Sequence, residues 1–260
     1  MLNFFPELKR RNPALFWFGW INVVALVLAL VMSVIDPTEI KGINAWIKPM
    51  KFAVSVTVYA WTFAWLLEYL SSRGKRKFVS RGIIVCMTVE NVLIFLQAFR
   101  GTTSHYNIQT AFDGLVFSIM GMFIMVNTLL VLYTVILFFS RSVTLEPAFL
   151  WAWRAGLVLF FLAGISGGLM VGRLAHSVGV EDGGPGLPLL NWSTVAGDIR
   201  VAHFITLHGL QAIPLSAFVI MSFSRGNAKL LVALFAIAYY GMCIWLHWQA
   251  LNGIPFVSIK

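Results

Sequence analysis

The segment LFWFGWINVVALVLALVMSVI, residues 15–35, runs for 21 residues without a charged side chain. An α-helix rises about 1.5 Å per residue, so a run of this length crosses the roughly 30 Å hydrocarbon core of a bilayer. The run is too long for the apolar part of a secretory signal, and no small-residue cleavage site follows it. We therefore predict a retained transmembrane helix over residues 14–35.

The rest of the chain has the same apolar character. Of its 260 residues, 59% are hydrophobic and 11% are charged, and the mean hydropathy is +0.84. This composition leaves too few polar residues to cover a soluble globular domain, so we predict an integral membrane protein. The formal net charge of +9 comes from Lys and Arg residues that cluster between apolar runs. Such clustering is typical of membrane topology and does not indicate nucleic-acid binding.

Seven apolar runs have the length that a membrane helix requires. No internal repeat and no separate soluble segment is visible. We predict an all-α polytopic membrane protein in which residues 1–260 form a single domain, one bundle of seven transmembrane helices. The predicted helices span residues 14–35, 47–70, 82–99, 112–138, 149–172, 199–223 and 229–250.

The basic residues predict the orientation of this bundle, because cytoplasmic loops retain an excess of Lys and Arg. Twelve of the nineteen Lys and Arg residues, among them Arg141, fall on the side of the N-terminus, and Lys260 is counted on the opposite side. The loop SSRGKRKFVSR, residues 71–81, decides the assignment. We predict an inside N-terminus and an outside C-terminus in a bacterial inner (plasma) membrane. The stretch FRGTTSHYN, residues 99–107, then lies at the outer surface.

Costly polar side chains collect in the outer half of the third predicted span and just beyond it. Ionisable groups inside a membrane need a partner, a cavity or access to the interface. Glu90 lies near mid-depth with Gln97 on the same helical face, and Arg100 and His105 follow in the outer connection. We expect an unpaired Glu90 to stay protonated. The alternative to a proton or ligand site is a structural ion pair or a neutral, hydrogen-bonded Glu90.

Polar residues also occupy the outer ends of the second and fourth predicted spans. Lys51 follows Lys48 by about one helical turn, and ligand binding and snorkelling to lipid headgroups are both open for these lysines. Asp113 begins the fourth span, where an acidic side chain can instead cap the helix.

The sixth predicted span, GDIRVAHFITLHGLQAIPL at residues 197–215, carries the densest set of polar groups. At about 100° per residue, Arg200, His203, His208 and Gln211 fall within one sector of about 140°. His247 lies near the outer end of the seventh span. Two histidines with an arginine and a glutamine on one sector of an apolar helix favour a polar pocket.

Two further patterns concern glycine and catalytic motifs. Gly164, Gly168 and Gly172 recur every four residues in the fifth span, which predicts a small-residue ridge for close helix packing. We recognise no Gly-rich phosphate loop, no paired CxxC motif and no serine-hydrolase elbow. We therefore expect no nucleotide, iron–sulfur or serine-hydrolase chemistry.

Three stretches resemble a group of bacterial multi-spanning, seven-helix membrane proteins. They are WIKPMKF (46–52), LQAFRGTTSHYN (96–107) and GDIRVAHFITLHGLQ (197–211), and they correspond to the WIKPxKF and AHFxxLHGLQ motifs of that group. The resemblance covers most of the chain and implies the fold but no function.

The leading hypothesis is an outward-facing, charged and histidine-containing pocket within the membrane. This pocket binds or transports a small polar or anionic solute, with proton coupling as part of the hypothesis. The expected partners are the lipid bilayer and this solute, without nucleic acid, and the oligomeric state is left open. The expected ligand-binding or proton-relay residues are Lys51, Glu90, Gln97, Arg100, His105, Asp113, Arg200, His203, His208 and Gln211.

Two alternatives stay open at this point. The first is a membrane-embedded enzyme or redox protein that uses a metal ion or haem, with ligands drawn from His203, His208, His247 and His105. The second is a closed network of charges that only fixes helix packing. These hypotheses make different structural predictions. A binding or catalytic site requires a cavity lined by the charged residues, whereas a packing network requires that they pair with one another in a dry interior.

Overall fold

A computed structural model of the protein describes residues 3–140, 143 and 145–259. Arg141 and Lys260, which enter the charge count above, lie outside the described residues. The described residues form eight α-helices and four short strands. The helices are α1 (Phe4–Arg11), α2 (Pro13–Ile35), α3 (Ile47–Leu66), α4 (Arg73–Phe99), α5 (Ala111–Phe139), α6 (Pro147–Arg173), α7 (Ile199–Phe223) and α8 (Ala228–Leu251). The strands are β1 (Glu39–Ile40), β2 (Ile43–Asn44), β3 (Ser177–Val178) and β4 (Gly197–Asp198), and a 3-10 turn (Leu67–Tyr69) extends α3.

Helices α2 to α8 are all long and apolar enough to cross a membrane. The predicted helical class is therefore confirmed, and the described residues contain seven helices of membrane-spanning length and apolarity, which indicates an integral membrane protein. The predicted bounds of the sixth span, 199–223, coincide with those of α7. The other predicted ends lie within a few residues of the observed ones, with one exception in α4.

Helix α4 begins nine residues before the predicted span, at position 73 in place of 82. Ser72 caps its N-terminus by accepting a 3.4 Å hydrogen bond from the backbone N–H of Lys75. Arg76 in the first turns forms an ion pair with Glu68. A hydropathy pattern detects only the apolar part of such a helix, so its charged first turns were missed.

Helix α1 was not predicted, because eight residues are too few and too polar for a hydropathy signal. Its buried residue is Leu8, and its exposed face carries Glu7, which accepts hydrogen bonds from Arg10 and Arg11. These bonds lower the pKa of Glu7 to about 2. The Arg11 guanidinium lies 4.0 Å from the ring centre of Trp65 in α3, which holds the short helix against the longer one.

The chain divides into two compact units, Met1–Leu130 and Val131–Lys260, and the boundary falls inside α5. In the first unit, α2 packs along α3, and α3 packs against α4. Trp61 Nε1 donates a 3.2 Å hydrogen bond to the carbonyl of Phe16, and the absence of a side chain at Gly19 makes room for the Trp61 ring. Strands β1 and β2 form an antiparallel hairpin whose turn, Lys41–Gly42, has positive φ at both residues.

In the second unit, α7 packs against both α6 and α8. Gly156 of α6 approaches the backbone of α7 so closely that a Cβ would lie 3.0 Å from the Gly209 carbonyl oxygen. The predicted glycine ridge is wrong in this respect, because a Cβ at Gly168 or Gly172 would meet no described atom within 4 Å. Gly156 and Gly167 of α6 do make close contacts, with α7 in both cases.

The connection between α6 and α7 is ordered by a second antiparallel pair, in which β3 pairs with β4. Gly197 of β4 lies against α8, and a Cβ there would lie 2.0 Å from the Ala250 carbonyl oxygen. Gln249 Nε2 donates a 2.9 Å hydrogen bond to the Pro255 carbonyl, so the C-terminal segment folds back toward the same end of α8.

Candidate functional site

The FRGTTSHYN stretch ends α4 with a glycine cap. The N–H of Thr102 donates to the Gln97 carbonyl and the N–H of Gly101 donates to the Ala98 carbonyl, both at 3.0 Å. Gly101 has a φ of +68°, which is the left-handed conformation that this motif requires. The chain therefore turns sharply after Arg100, and the polar residues that follow remain near the end of the helix.

Three of the predicted site residues meet at this point. Arg100 Nη1 donates to Asp113 Oδ1 at 2.6 Å and to Gln97 Oε1 at 2.5 Å, and Gln97 Nε2 donates to the same Asp113 oxygen at 2.9 Å. The Thr110 hydroxyl donates to Asp113 Oδ2 at 2.6 Å and accepts a 3.1 Å bond from the Asp113 N–H. Thr110 immediately precedes α5, and its hydroxyl caps the helix by accepting the N–H of Asp113. Asp113 therefore belongs to the polar cluster, and the capping role considered for its side chain is filled by Thr110 instead.

His105 lies in an aromatic setting. Its ring centre is 5.9 Å from that of Phe52, 6.0 Å from that of Tyr106 and 6.4 Å from that of Phe117. The Ser104 hydroxyl is 3.2 Å from His105 Nδ1. Three aromatic rings and a hydroxyl therefore hold the imidazole at this end of the first unit.

Glu90 of α4 is only 3% exposed, and its Oε1 has no hydrogen-bond partner among the described residues. Ile94, one turn further along α4, packs with Val116 and Met120 of α5 in an apolar cluster. The charge of Lys48, in the first turn of α3, acts on the Glu90 carboxyl. Lys51 is half-buried one turn further along α3.

The first unit also contains buried polar contacts that the sequence analysis missed. Asn91 Nδ2 donates to Asn22 Oδ1 at 2.5 Å, which links α4 to α2. The Tyr59 hydroxyl donates to Asn127 Oδ1 at 3.0 Å, which links α3 to α5. Isolated asparagines within apolar runs were the available signal, because a buried amide needs a partner.

Arg200, at the start of α7, is closed in an ion pair with Asp198. Its Nη2 lies 2.6 Å from Asp198 Oδ2 and its Nε lies 2.9 Å from Asp198 Oδ1. Asp198 also accepts the N–H groups of Arg200 and Ser193, both at 2.9 Å, and Arg200 donates to the Asn191 carbonyl. The pair therefore ties the α6–α7 connection to the N-terminus of α7.

His203 and His247 occupy the space between α6, α7 and α8. One nitrogen of His203 bonds to the Ala163 carbonyl of α6, and its buried Nδ1 has no partner among the described residues. His203 lies against Gly167, where a Cβ would be 3.3 Å from its Cε1. His247 Nε2 is 2.7 Å from Ser166 Oγ, and its Nδ1 is 2.8 Å from the Cys243 carbonyl.

His208 and Gln211 belong to the same helix, but His208 bonds within it. His208 Nδ1 lies 2.8 Å from the Phe204 carbonyl, and its ring packs against that of Phe204, tilted by 34°, at 4.1 Å between ring centres. Gln211 is half-buried one turn further along. The residues of the predicted α7 sector therefore have different partners. Arg200 forms an ion pair, His203 contacts α6, and His208 bonds to a carbonyl of its own helix.

A further histidine, His176, pairs with Asp182 in the α6–α7 connection at 2.7 Å. Burial raises the pKa of Asp182, but the hydrogen bond and charge of His176 and the N–H groups of His176 and Ser177 outweigh this effect. The pKa of Asp182 therefore lies well below its ordinary value. The charge of His176 also acts on His203, so this connection lies near the histidines of the second unit.

Metal binding was predicted as an alternative, with His203, His208, His247 and His105 as candidates. Within the described part of the chain, no group of three or more His, Cys, Asp and Glu residues is arranged to hold a metal ion. His105 belongs to the first unit and the other three candidates to the second. The metal or haem hypothesis stays a prediction without support from this geometry.

Comparisons with protein families, with curated proteins and with solved structures gave no match. The function is therefore argued from the side chains themselves. The strongest chemical features are the buried Glu90 of the first unit and the Ser166, His203 and His247 group of the second.

Proposed function

We propose that the protein binds or transports a small anionic or polar solute together with a proton, and that Glu90 is the proton-binding group. The observation that carries this proposal is the buried Oε1 of Glu90, which has no hydrogen-bond partner among the described residues. A network of charges built only for packing would leave no such group, because a buried polar atom without a partner costs about 1–3 kcal/mol. Ionisable groups inside a membrane are typical of ion and substrate pathways.

Lys48 gives this proposal a coupling mechanism. Its positive charge favours the ionised form of Glu90, whose own burial disfavours that form. An anion bound near Lys48 would offset the lysine charge, and Glu90 would then take up a proton. Linkage makes this effect reciprocal, so protonation of Glu90 strengthens anion binding by the same factor.

The Arg100 and Asp113 pair would act as the frame of this site. Both Asp113 oxygens already accept hydrogen bonds from side chains of the protein. The pair fixes the end of α4 relative to the start of α5, so the solute would be recognised beside it, toward Glu90 and the lysines of α3. Lys51, one turn from Lys48, adds positive potential to this end.

The orientation proposed from the sequence assigns this end to the outer side of a bacterial inner membrane. Asn12, at the start of α2, donates a 2.7 Å hydrogen bond to Ser80 of α4. The basic residues of α1 and those in the first turns of α4 therefore lie at one end of the first unit, and the Lys48 and Arg100 region lies at the other. The larger basic cluster would face the cytoplasm.

The proposal is tested in proteoliposomes that contain the full chain and a pH-sensitive dye in the lumen. The probes are inorganic phosphate, acetate, lactate and glutamate, each added outside. We expect at least one anion to acidify the lumen, and Glu90→Gln to abolish this change. Ser118→Ala is a matched control, because Ser118 is exposed on α5 and donates only to the Gly114 carbonyl of its own helix.

Acidification with wild-type protein that matches protein-free liposomes for all four anions would overturn the proposal. Equal acidification by Glu90→Gln and wild-type protein would also remove Glu90 from the coupling. An infrared spectrum provides a second readout, because a protonated Glu90 gives a carboxylic acid C=O band that Glu90→Gln lacks.

A further inference from the structure

The second unit contains a serine and a histidine in the geometry of a nucleophile and its base. Ser166 Oγ of α6 lies 2.7 Å from His247 Nε2 of α8. His247 Nδ1 lies 2.8 Å from the backbone carbonyl of Cys243, one turn earlier in α8. A serine within about 2.6–3.2 Å of an imidazole that is oriented by a third group is the arrangement that activates a hydroxyl for covalent catalysis.

The partner of Nδ1 determines the tautomer of His247. A backbone carbonyl only accepts hydrogen bonds, so Nδ1 carries the hydrogen. In the neutral ring Nε2 then holds a lone pair, and the Ser166 hydroxyl donates to it. This is the tautomer that a general base needs in order to take the proton of the serine.

Glycines flank Ser166 along α6. Ser166 is 4% exposed and lies in the run Gly164–Ile165–Ser166–Gly167–Gly168. The letters of this run match G-x-S-x-G, but they form a turn of regular helix in α6 and not the strand-to-helix elbow of soluble hydrolases. This match of letters was overlooked in the sequence analysis, and a Cβ at Gly168 would meet no described atom within 4 Å.

His203 adds a third polar group beside the pair. Its ring lies against Gly167, the neighbour of Ser166, and its Nδ1 is buried without a partner among the described residues. The charge of His247 also acts on His203. The other ring nitrogen donates to the Ala163 carbonyl, so Nδ1 of the neutral ring is a hydrogen-bond acceptor.

The surroundings indicate the kind of substrate. Ile165 and Leu169 of α6 are exposed by 52% and 47%, and Ile244 and Trp248 of α8 are exposed as well. In a membrane-spanning helix these apolar side chains face lipid. A substrate would reach Ser166 from the bilayer, which favours an ester with an apolar acyl chain.

We propose that Ser166 and His247 form a catalytic pair that cleaves an acyl ester presented from the membrane. Ser166 Oγ bonds to the acyl carbon while its proton passes to His247 Nε2. The ester C–O bond then breaks, and the alcohol leaves with that proton. Water next attacks the acyl-serine, gives a proton to His247 and releases the carboxylic acid as Ser166 regains its hydrogen.

The test is covalent labelling of the full chain in lipid nanodiscs with an alkyl fluorophosphonate, followed by mass spectrometry. We expect a phosphonate adduct at Ser166, no adduct at that position in Ser166→Ala, and labelling at least about 100-fold slower in His247→Gln, because general-base catalysis contributes about 10²–10⁴-fold. Ser216→Ala is the matched control, because Ser216 donates only to the Ile213 carbonyl of its own helix. It should label like wild type.

Absence of a Ser166 adduct in the folded wild-type protein would overturn the proposal, as would a His247→Gln variant that labels at the wild-type rate.

If His247→Gln fails to fold, the Ser166→Cys variant provides a second test of the same contact. A thiol beside His247 should react with iodoacetamide at least about tenfold faster than the buried Cys86 of the same chain, because a neighbouring histidine promotes the thiolate. Equal rates would contradict the proposal. Glu90→Gln should label normally, so this result is independent of the proton-coupling proposal.

Discussion

The guanidinium of Arg100 meets the carboxylate of Asp113 at 2.6 Å. The same carboxylate accepts the hydroxyl of Thr110, which caps the start of α5, so one side chain joins the end of α4 to the start of α5. An isolated surface ion pair contributes little, but Asp113 is buried and accepts three side-chain hydrogen bonds. We infer that this carboxylate is a structural centre of the first unit.

Asp113→Ala is therefore expected to destabilise the protein by about 1–3 kcal/mol, because it removes a buried acceptor and leaves Arg100, Gln97 and Thr110 without it. Arg100→Gln should cost less, because the Arg100 side chain is 36% exposed and solvent screens its charge. Unfolding curves in detergent measure both effects, with Ser118→Ala as the control. If Asp113→Ala were as stable as the wild type, the hydrogen bonds to the Asp113 carboxylate would contribute nothing measurable to the stability of the protein.

Neutralising Glu90 should change the stability of the protein little, in contrast to the loss expected for Asp113→Ala. Glu90→Gln removes an ionisable group whose Oε1 has no partner among the described residues, so it is expected to change the free energy of unfolding by less than about 1 kcal/mol. Breaking a buried ion pair would instead cost about 3–5 kcal/mol. The same unfolding measurement separates the two cases, and a large loss of stability would support the purely structural reading of this carboxylate.

The sequence predicts the helices much better than it predicts the partners of their polar side chains. Periodicity and hydropathy located α7 to the residue, because a long apolar run has one stable solution in a bilayer. They could not indicate that Arg200 pairs with Asp198 or that His247 meets Ser166, because these contacts depend on tertiary packing across or between elements. Gln97, Arg100 and Asp113 were each named as candidate site residues, and the turn that joins α4 to α5 brings them into contact.

The orientation can be tested with single added cysteines. Cys86 and Cys243 are buried, so the background of the native chain is low. Ser71 and Gln109 are both exposed in connections between helices. With the N-terminus inside, a membrane-impermeant maleimide should label Gln109→Cys in intact spheroplasts and Ser71→Cys only after permeabilisation. The reverse pattern would invert the proposed topology.

The His176 and Asp182 pair predicts a pH-dependent contribution to the α6–α7 connection. The folded-state pKa of Asp182 lies below its ordinary value of 3.8, so its stabilising effect is complete above that value and is lost as the pH falls through the lower folded-state pKa. Asp182→Asn should therefore lower the melting temperature at pH 7, and the difference from wild type should shrink only in strong acid. A difference that disappears already at pH 5 would assign the effect to another group.

Gly197 provides the most direct test of how the α6–α7 connection sits on α8. A Cβ at position 197 would lie 2.0 Å from the Ala250 carbonyl oxygen, and backbone atoms on both sides of this contact cannot move aside cheaply. Gly197→Ala is therefore expected to cost about 1–3 kcal/mol through overpacking. Gly184→Ala in the same connection is the matched control, because a Cβ there meets no described atom within 4 Å. Melting temperatures in detergent should fall for Gly197→Ala and stay at the wild-type value for Gly184→Ala. If the two variants had the same melting temperature, β4 would not pack against α8 in solution. The α6–α7 connection near His203 would then not be held in place by this contact.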